Sequence, residues 1–254
     1  NIAKKSLRVN LSDMAAMGAK PLFYNLALSV PKVKASQFLP KFVKGLQDDQ
    51  EMFDIKLIGG DLTSSLKHIH ITITIFGRSS KGKSIPRDGA KIGDCLYVSG
   101  ILGLSKIGLD NYNSNFKELQ EAKKKYLLPQ PRVDLGISLK NIANSMIDIS
   151  DGLVQDATHL AKNSELTVEL NLSKIPLPNI NKIDKKLILD SALYGGDDYE
   201  LLFSCDPFYE NSLVKLSSKM NLKLTKIGIF KKFNKEFLKF KNNKSKPENS
   251  YLHF

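Results

Sequence analysis

Apolar positions along the chain follow two rhythms. Between Ser36 and Phe53, residues Phe38, Leu39, Phe42, Val43 and Leu46 recur at i, i+3, i+4 spacing, which predicts an amphipathic helix. Ile69 to Phe76 (IHITITIF) alternates β-branched and polar residues and predicts a strand. Leu22 to Val30 reads as a second strand, closed by Pro31. Asn10 to Gly18 (NLSDMAAMG) is rich in Ala and Met and predicts a helix with Gly18 as its stop. Ile55 to Ile58 predicts a short strand that runs into a turn at Gly59-Gly60-Asp61.

From Gly77 to Gly93 the apolar rhythm stops. The segment GRSSKGKSIPRDGAKIG is rich in Gly, Ser, Lys and Pro and marks the best interdomain crossing, dividing the chain into residues 1–85 and 86–254. Beyond it, strands are expected at Cys95–Val98, Ser145–Ile149, Leu166–Leu170 and Tyr199–Ser204, with two weaker strands near the end. Helices are expected at Asn115–Tyr126, Val133–Ala143, Leu153–Lys162, Lys185–Leu193 and Tyr209–Met220. Mixed order with hairpin-like neighbours predicts an α+β fold with mixed sheets, not one parallel doubly wound sheet.

Four patches combine aspartate with small residues at the ends of apolar segments. They are Asn10-Leu11-Ser12-Asp13, Gly59-Gly60-Asp61, Asp148-Ile149-Ser150-Asp151-Gly152 and Gly195-Gly196-Asp197-Asp198. Glycine beside a carboxylate lets a phosphate or metal approach the backbone, and Mg2+ takes oxygen ligands from a few carboxylates, phosphates and water. A single Gly-Gly-Asp is more often a turn or a helix cap. Four in one chain shift the balance toward a site. Asp148 and Asp151 fall three residues apart at a strand-to-helix turn. Two carboxylates repel by about 4 kcal/mol at ~4 Å and an effective dielectric near ~20, a cost that a cation relieves. The competing reading is that Ser150 or Asp151 caps the following helix, and spacing alone leaves both open.

Composition removes several other functions. The chain has 254 residues, and only two are cysteines, Cys95 and Cys205, so neither a disulfide framework nor a zinc ribbon is indicated and a reducing cytoplasm fits. No apolar run reaches the length of about 18 residues needed to cross a membrane, and the start has no signal-peptide core. The net charge of +12 raises nucleic-acid binding, but only four of the 38 basic residues are arginine (Arg8, Arg78, Arg87, Arg132), and base readout favours arginine. The lysines crowd toward the C-terminal end, Lys231 to Glu248, as a solvated tail does. No GxxxxGK[ST] loop, protein-kinase signature or GxGxxG is present. His68, His70, His159 and His253 have no Cys or Ser partner in a nucleophile motif. Carboxylates without a nucleophile suit metal-assisted phosphoryl transfer, in which positioning and charge neutralisation carry most of the catalysis.

The segments NLSDMAAMGAKP, LIGGD, IPRDGAKIGD, YLLPQPR, MIDISDGLVQD and GGDDYELLF occur in that order. Together they resemble the thiamine-monophosphate kinase family, within the superfamily of aminoimidazole ribonucleotide synthetase and selenophosphate synthetase. The resemblance implies ATP- and Mg2+-dependent phosphorylation of thiamine monophosphate to thiamine diphosphate by direct transfer. It implies Asp13, Asp61, Asp148 and Asp151 as Mg2+ ligands, with Gly60, Asp61, Arg87 and Ser150 at the ATP. Asp197 and Tyr251 match substrate-contacting positions, although the family usually has Glu where Asp197 stands. It also implies two mixed α/β domains, an N-terminal one that binds ATP and pairs into a homodimer and a C-terminal one, in the cytoplasm. Family members carry an upstream Gly-Asp-Asp motif and a Ser-Thr-Asp strand that this chain lacks, so the N-terminal domain is expected to be incomplete and the chain as given to turn over little. The rival readings are another ATP-dependent enzyme of the same superfamily, separable with a substrate panel, and a lysine-rich nucleic-acid-binding module, separable by steep salt dependence.

Overall fold

The strand expected at Leu22–Val30 is β1 (Lys20–Pro31), the middle of a three-stranded sheet of order β2-β1-β3 in the computed structural model, which describes residues 1–79 and 84–241. β2 (Lys56–Ser65) runs parallel to β1, and β3 (His70–Arg78) antiparallel. Tyr24, Leu26, Leu28 and Val30 of β1 turn to one face. There they meet Phe42 and Leu46 of α2 (Lys32–Phe53) and Leu7 and Leu11 of α1 (Ile2–Ala16). Burying such side chains supplies most of the stabilisation, at about 25 cal/mol per Å² of apolar surface. The other face carries the exposed Phe23 and Phe76, and Leu57, Ile58 and Leu62 of the edge strand β2 are exposed as well.

The second sheet has six strands in the order β5-β7-β4-β8-β6-β9. These are β4 (Cys95–Ser99), β5 (Ala143–Asp148), β6 (Leu166–Leu170), β7 (Leu201–Cys205), β8 (Leu224–Lys232) and β9 (Leu238–Phe240). All neighbours are antiparallel except β6 and β9. One face packs Leu153, Ala157, Leu160 and Ala161 of α6 (Leu153–Asn163). The other packs Leu135 of α5 (Val133–Ser138), Leu213 of α8 (Glu210–Met220) and, from the first half of the chain, Ala15 and Ala16 of α1. Both faces are covered, so β4 and β7 are buried at every position. The expected mixed α+β fold is present.

Helix α1 joins the two halves. Arg8 forks onto Asp49 of α2 through Nε and Nη2 at 2.7 and 2.8 Å, a bidentate pair in the interior. At the other end of α1, Gly136 of α5 lies so near the carbonyl of Ala15 that a Cβ there would sit 2.1 Å from the oxygen. The remaining helices are α3 (Leu104–Asp110), α4 (Gln120–Leu127) and α7 (Lys185–Tyr194).

Four boundaries differ from the pattern. Helix α1 starts at Ile2 rather than near Asn10, because Ala3, Leu7 and Leu11 continue its buried stripe. Strand β2 does not turn at Gly59-Gly60-Asp61; pairing with β1 carries it through, Gly60 against Leu26 and Asp61 against Ala27. Gly60 is needed there, because a Cβ would fall 1.9 Å from the Leu26 carbonyl oxygen. Helix α5 stops at Ser138, since Ala143 already pairs with Cys205 in the sheet. A 3-10 turn at Lys117–Leu119 replaces the front of the helix expected from Asn115. The Gly77–Gly93 crossing and the lysine-rich end lie partly outside the described residues.

Candidate active site

Three of the four aspartate patches meet where α1, the end of β5 and the approach to β7 come together. β5 ends at Asp148, and the chain turns through Ser150, Asp151 and Gly152 into α6. Gly152 is the N-cap residue, with φ 117°, so neither Ser150 nor Asp151 caps the helix. The turn is held instead by Asp156 in the first turn of α6, whose Oδ2 accepts the backbone N–H groups of Ser150 and Asp151, each at 3.2 Å. Burial, and then the Asp151 charge, push the Asp156 carboxyl well above the usual carboxylate range.

The Gly195–Tyr199 loop lies along this turn. Asp197 N–H donates to the Ser150 carbonyl at 2.9 Å, Tyr199 N–H to the Ile149 carbonyl at 2.8 Å, and Ile149 N–H to the Glu200 carbonyl at 2.8 Å. Asp197 and Tyr199 take left-handed φ values of 67° and 50°, an uncommon conformation that non-glycine residues hold at some cost. The two acidic residues of the loop and Glu200, which follows it, then divide. Asp197 lines the cavity described below, whereas Asp198 is buried and accepts from the N–H groups of Gly103 and Ser105 at 2.6 and 3.3 Å. Burial pushes Asp198 up to about 7. Glu200 is buried as well and takes Ser99 Oγ, Lys125 Nζ and both branches of Arg132 at 2.6–2.7 Å.

Together these segments enclose a cavity of about 680 Å³, within the usual size for a small-molecule site. Asn10 and Asp13 come from α1, Asp148, Ser150 and Asp151 from the β5–α6 turn, and Gly195, Gly196, Asp197 and Tyr199 from the loop. Ser12 Oγ donates to Asp148 Oδ2 at 2.6 Å. Desolvation nevertheless dominates and pushes Asp148 up to about 6, with the Asp13 charge adding to it. Desolvation also raises Asp13, and Arg87 opposes it. The cavity wall therefore carries carboxylates in mutual repulsion, with Lys106 also lining it and Arg87 nearby. No Cys or His lines it.

Among the described residues no group of three or more His, Cys, Asp or Glu is close enough to hold a metal by itself. The donor set still fits Mg2+, which usually takes one or two protein carboxylates and completes its shell with phosphate and water. Asp13, Asp148 and Asp151 are hard oxygen donors on one cavity.

Asp13, Asp148, Ser150, Asp151 and Asp197 thus share one wall, and the exposed Arg87 is near enough to act on Asp13 and Asp148. Gly60 and Asp61 do not join them. Carried along inside β2, they line a separate groove of about 470 Å³ beside α2, with Leu26, Leu46 and Gln50. Tyr251 lies outside the described residues. The cavity also contains Ser105, Lys106, Tyr126 and Tyr194, none of them singled out by the sequence. Tyr126 opens the YLLPQPR segment, and its position gave the only available signal.

Comparison with known proteins identifies relatives of the chain. Residues 1–79 match the family model of the AIR synthase related protein, N-terminal domain. The thiamine-monophosphate kinase of Haemophilus influenzae is 38% identical over 237 residues, covering 90% of this chain and 70% of its own length. The crystal structure of thiamine-monophosphate kinase from Stenotrophomonas maltophilia superposes with a TM-score of 0.90 at 31% identity, covering 96% of this chain and 79% of that one. The structure of AaThiL complexed with AMPPCP and TMP superposes at 0.85 and 29% identity, over 97% and 78% of the two chains.

Proposed function

The chain belongs to the thiamine-monophosphate kinase family, and from that premise we propose that its cavity holds thiamine monophosphate and ATP together and transfers the γ-phosphoryl group between them, yielding thiamine diphosphate and ADP. The observation that carries this reading is the meeting of Asp13, Asp148, Asp151 and Asp197, from three distant stretches of chain, on one cavity.

In the transfer, an oxygen of the substrate's phosphate bonds to the γ-phosphorus of ATP as the bond from that phosphorus to the β–γ bridging oxygen breaks. The displaced electron pair leaves with ADP. Asp13, Asp148 and Asp151 would hold Mg2+, which when bound supplies charge neutralisation for phosphate oxygens. The site's own residues do the rest. Arg87 is the cation beside Asp13 and Asp148, suited to charge developing on the transferred group. The turn held by Asp156 fixes Ser150 and Asp151 before substrate arrives, so that little reorganisation accompanies reaction. Asp197 faces the substrate. Gly60 and Asp61 line the separate groove beside α2 and take no part in this step.

The reading extends to assembly and location. Leu57, Ile58 and Leu62 on an exposed edge strand support pairing of residues 1–85 with a second copy, with residues 86–254 as the second domain. Two buried free cysteines support a cytoplasmic setting, and no helix among the described residues is long and apolar enough to cross a membrane.

The test is conversion of thiamine monophosphate by the purified protein, with calorimetric binding of the substrate and of a non-hydrolysable ATP analogue alongside. Product that requires ATP, Mg2+ and substrate together supports the assignment. Absence of product together with absence of binding overturns it.

A further inference from the structure

One side chain in the cavity region stands where a ligand's charge belongs. Lys5, on α1, places its ammonium 3.7 Å from the centroid of the Tyr126 ring and 2.8 Å from Asp197 Oδ2. The other oxygen of Asp197 accepts from Tyr199 Oη at 2.9 Å. Tyr126, Asp197 and Tyr199 line the cavity, whereas Lys5 reaches in from outside it. An aromatic face opposed by a carboxylate is a seat for a cation, and here it is filled by the protein's own flexible ammonium.

That occupant is the one part of the seat built to leave. Asp197 is fixed by its backbone bond to Ser150 and by Tyr199, and Tyr126 sits in the last turn of α4. Lys5 is tethered only by its four-carbon stem, and its side chain keeps a quarter of its surface in water. An ammonium is compact and strongly hydrated, so it loses little by returning to solvent. A flat, delocalised aromatic cation is poorly hydrated and covers more of the ring face, so it gains more in the same place.

We propose that Lys5 is a displaceable stand-in for the thiazolium ring of the substrate, and that the Tyr126 face and the Asp197 carboxylate form the seat that selects this cationic ring. The inference rests on the kinase reading given above, because that reading supplies a substrate with a permanent ring cation. It assigns a specificity-determining role to Tyr126 and an exchange role to Lys5. While the site is empty, Lys5 keeps Asp197 paired; when substrate enters, the charge is replaced rather than added.

The experiment compares thiamine monophosphate with its neutral thiophene isostere, deazathiamine monophosphate, in the wild-type chain and three variants. Binding is read by calorimetry, and KM and kcat are read separately. The wild type is expected to favour the thiazolium form by roughly tenfold. Tyr126→Leu should remove that preference and raise KM for thiamine monophosphate about tenfold, with KM for ATP unmoved. Tyr126→Phe, which keeps the ring face, should keep the preference. Lys5→Met should lower KM for thiamine monophosphate several-fold, because the competing cation is gone. A raised KM in Lys5→Met would show that Lys5 grips the substrate's anionic phosphate, and it would overturn the proposal, as would equal affinity of the wild type for the two isosteres. Turnover of both isosteres with equal efficiency leaves the kinase reading standing and sinks the seat. Selective binding of the thiazolium form without phosphoryl transfer does the reverse.

Discussion

Gly196 lies flat against the backbone of Ser150. A Cβ on Gly196 would sit 2.2 Å from the Ser150 carbonyl oxygen, the same oxygen that accepts the Asp197 N–H at 2.9 Å. The loop that carries Asp197 and the turn that carries Asp151 are therefore held in register by a contact that only glycine permits.

Gly196→Ala should push the two segments apart. Overpacking of this kind costs about 1–3 kcal/mol, and a displacement near 1 Å is enough to cost ~100-fold in rate. The expected outcome is a modest drop in the urea midpoint with at least a tenfold loss of kcat. Gly93→Ala is the control: it has φ 93° but nothing within 4 Å of a Cβ, so it tests backbone strain without the clash. Equal loss of activity in both variants would show that the contact with Ser150 does not position the site.

Asp148 should trade stability for function. Its carboxyl, 3% exposed, is pushed from 3.8 up to about 6 by burial first and by the Asp13 charge next. The folded state therefore binds this proton more tightly than the unfolded state does. Folding is penalised progressively as pH rises from about 4 to 6, and by about 3 kcal/mol above that. Asp148→Asn removes the penalty and leaves an oxygen to accept from Ser12. Without metal or nucleotide, this variant should unfold at higher urea than wild type at pH 7.5, and the advantage should vanish near pH 3.5. Phosphoryl transfer should be lost. A variant less stable than wild type at pH 7.5 would count against a strained, ligand-awaiting carboxylate.

The sequence showed the aspartates more readily than their company. Asp13, Asp148, Asp151 and Asp197 sit beside small residues at segment ends, which is visible in one dimension. Lys106 and Tyr126 enter the same cavity only because α3 and α4 fold over it; no local pattern marks Lys106, and Tyr126 is marked only as the first residue of the YLLPQPR segment. Helix α1 was half hidden because Arg8 puts a charge on its buried side, and the partner that permits this, Asp49, is 41 residues away. Strand β2 was hidden for the opposite reason. Exposed along nearly its whole length, it has no buried face to impose a period, so Gly59-Gly60 read as a turn. The same error placed Asp61 at a strand end beside the other aspartates, whereas pairing with β1 keeps it on another groove.

Glu200, in the strand-leading segment after Asp197, anchors the wall from behind. Its pKa is set by opposing effects. Burial raises it, but the Lys125 charge and the Arg132 fork outweigh burial and hold the carboxyl below its ordinary value of 4.5. Its ion pairs therefore contribute stability above about pH 4.5 that is lost as pH falls through the lower folded value. Removing one member of a buried ion pair strands the others, at about 3–5 kcal/mol. Glu200→Ala leaves Lys125 and Arg132 without their shared acceptor and should cost that much at pH 7.5, with a smaller loss near pH 3. Arg132→Lys keeps the charge but gives up the two-branched contact of 2.6 and 2.7 Å, so it should cost less than half as much. Urea unfolding of both variants at the two pH values reads the comparison. If Glu200→Ala cost the same at pH 3 as at pH 7.5, the contribution of Glu200 would be packing, and the charge cluster behind the site would carry none of it.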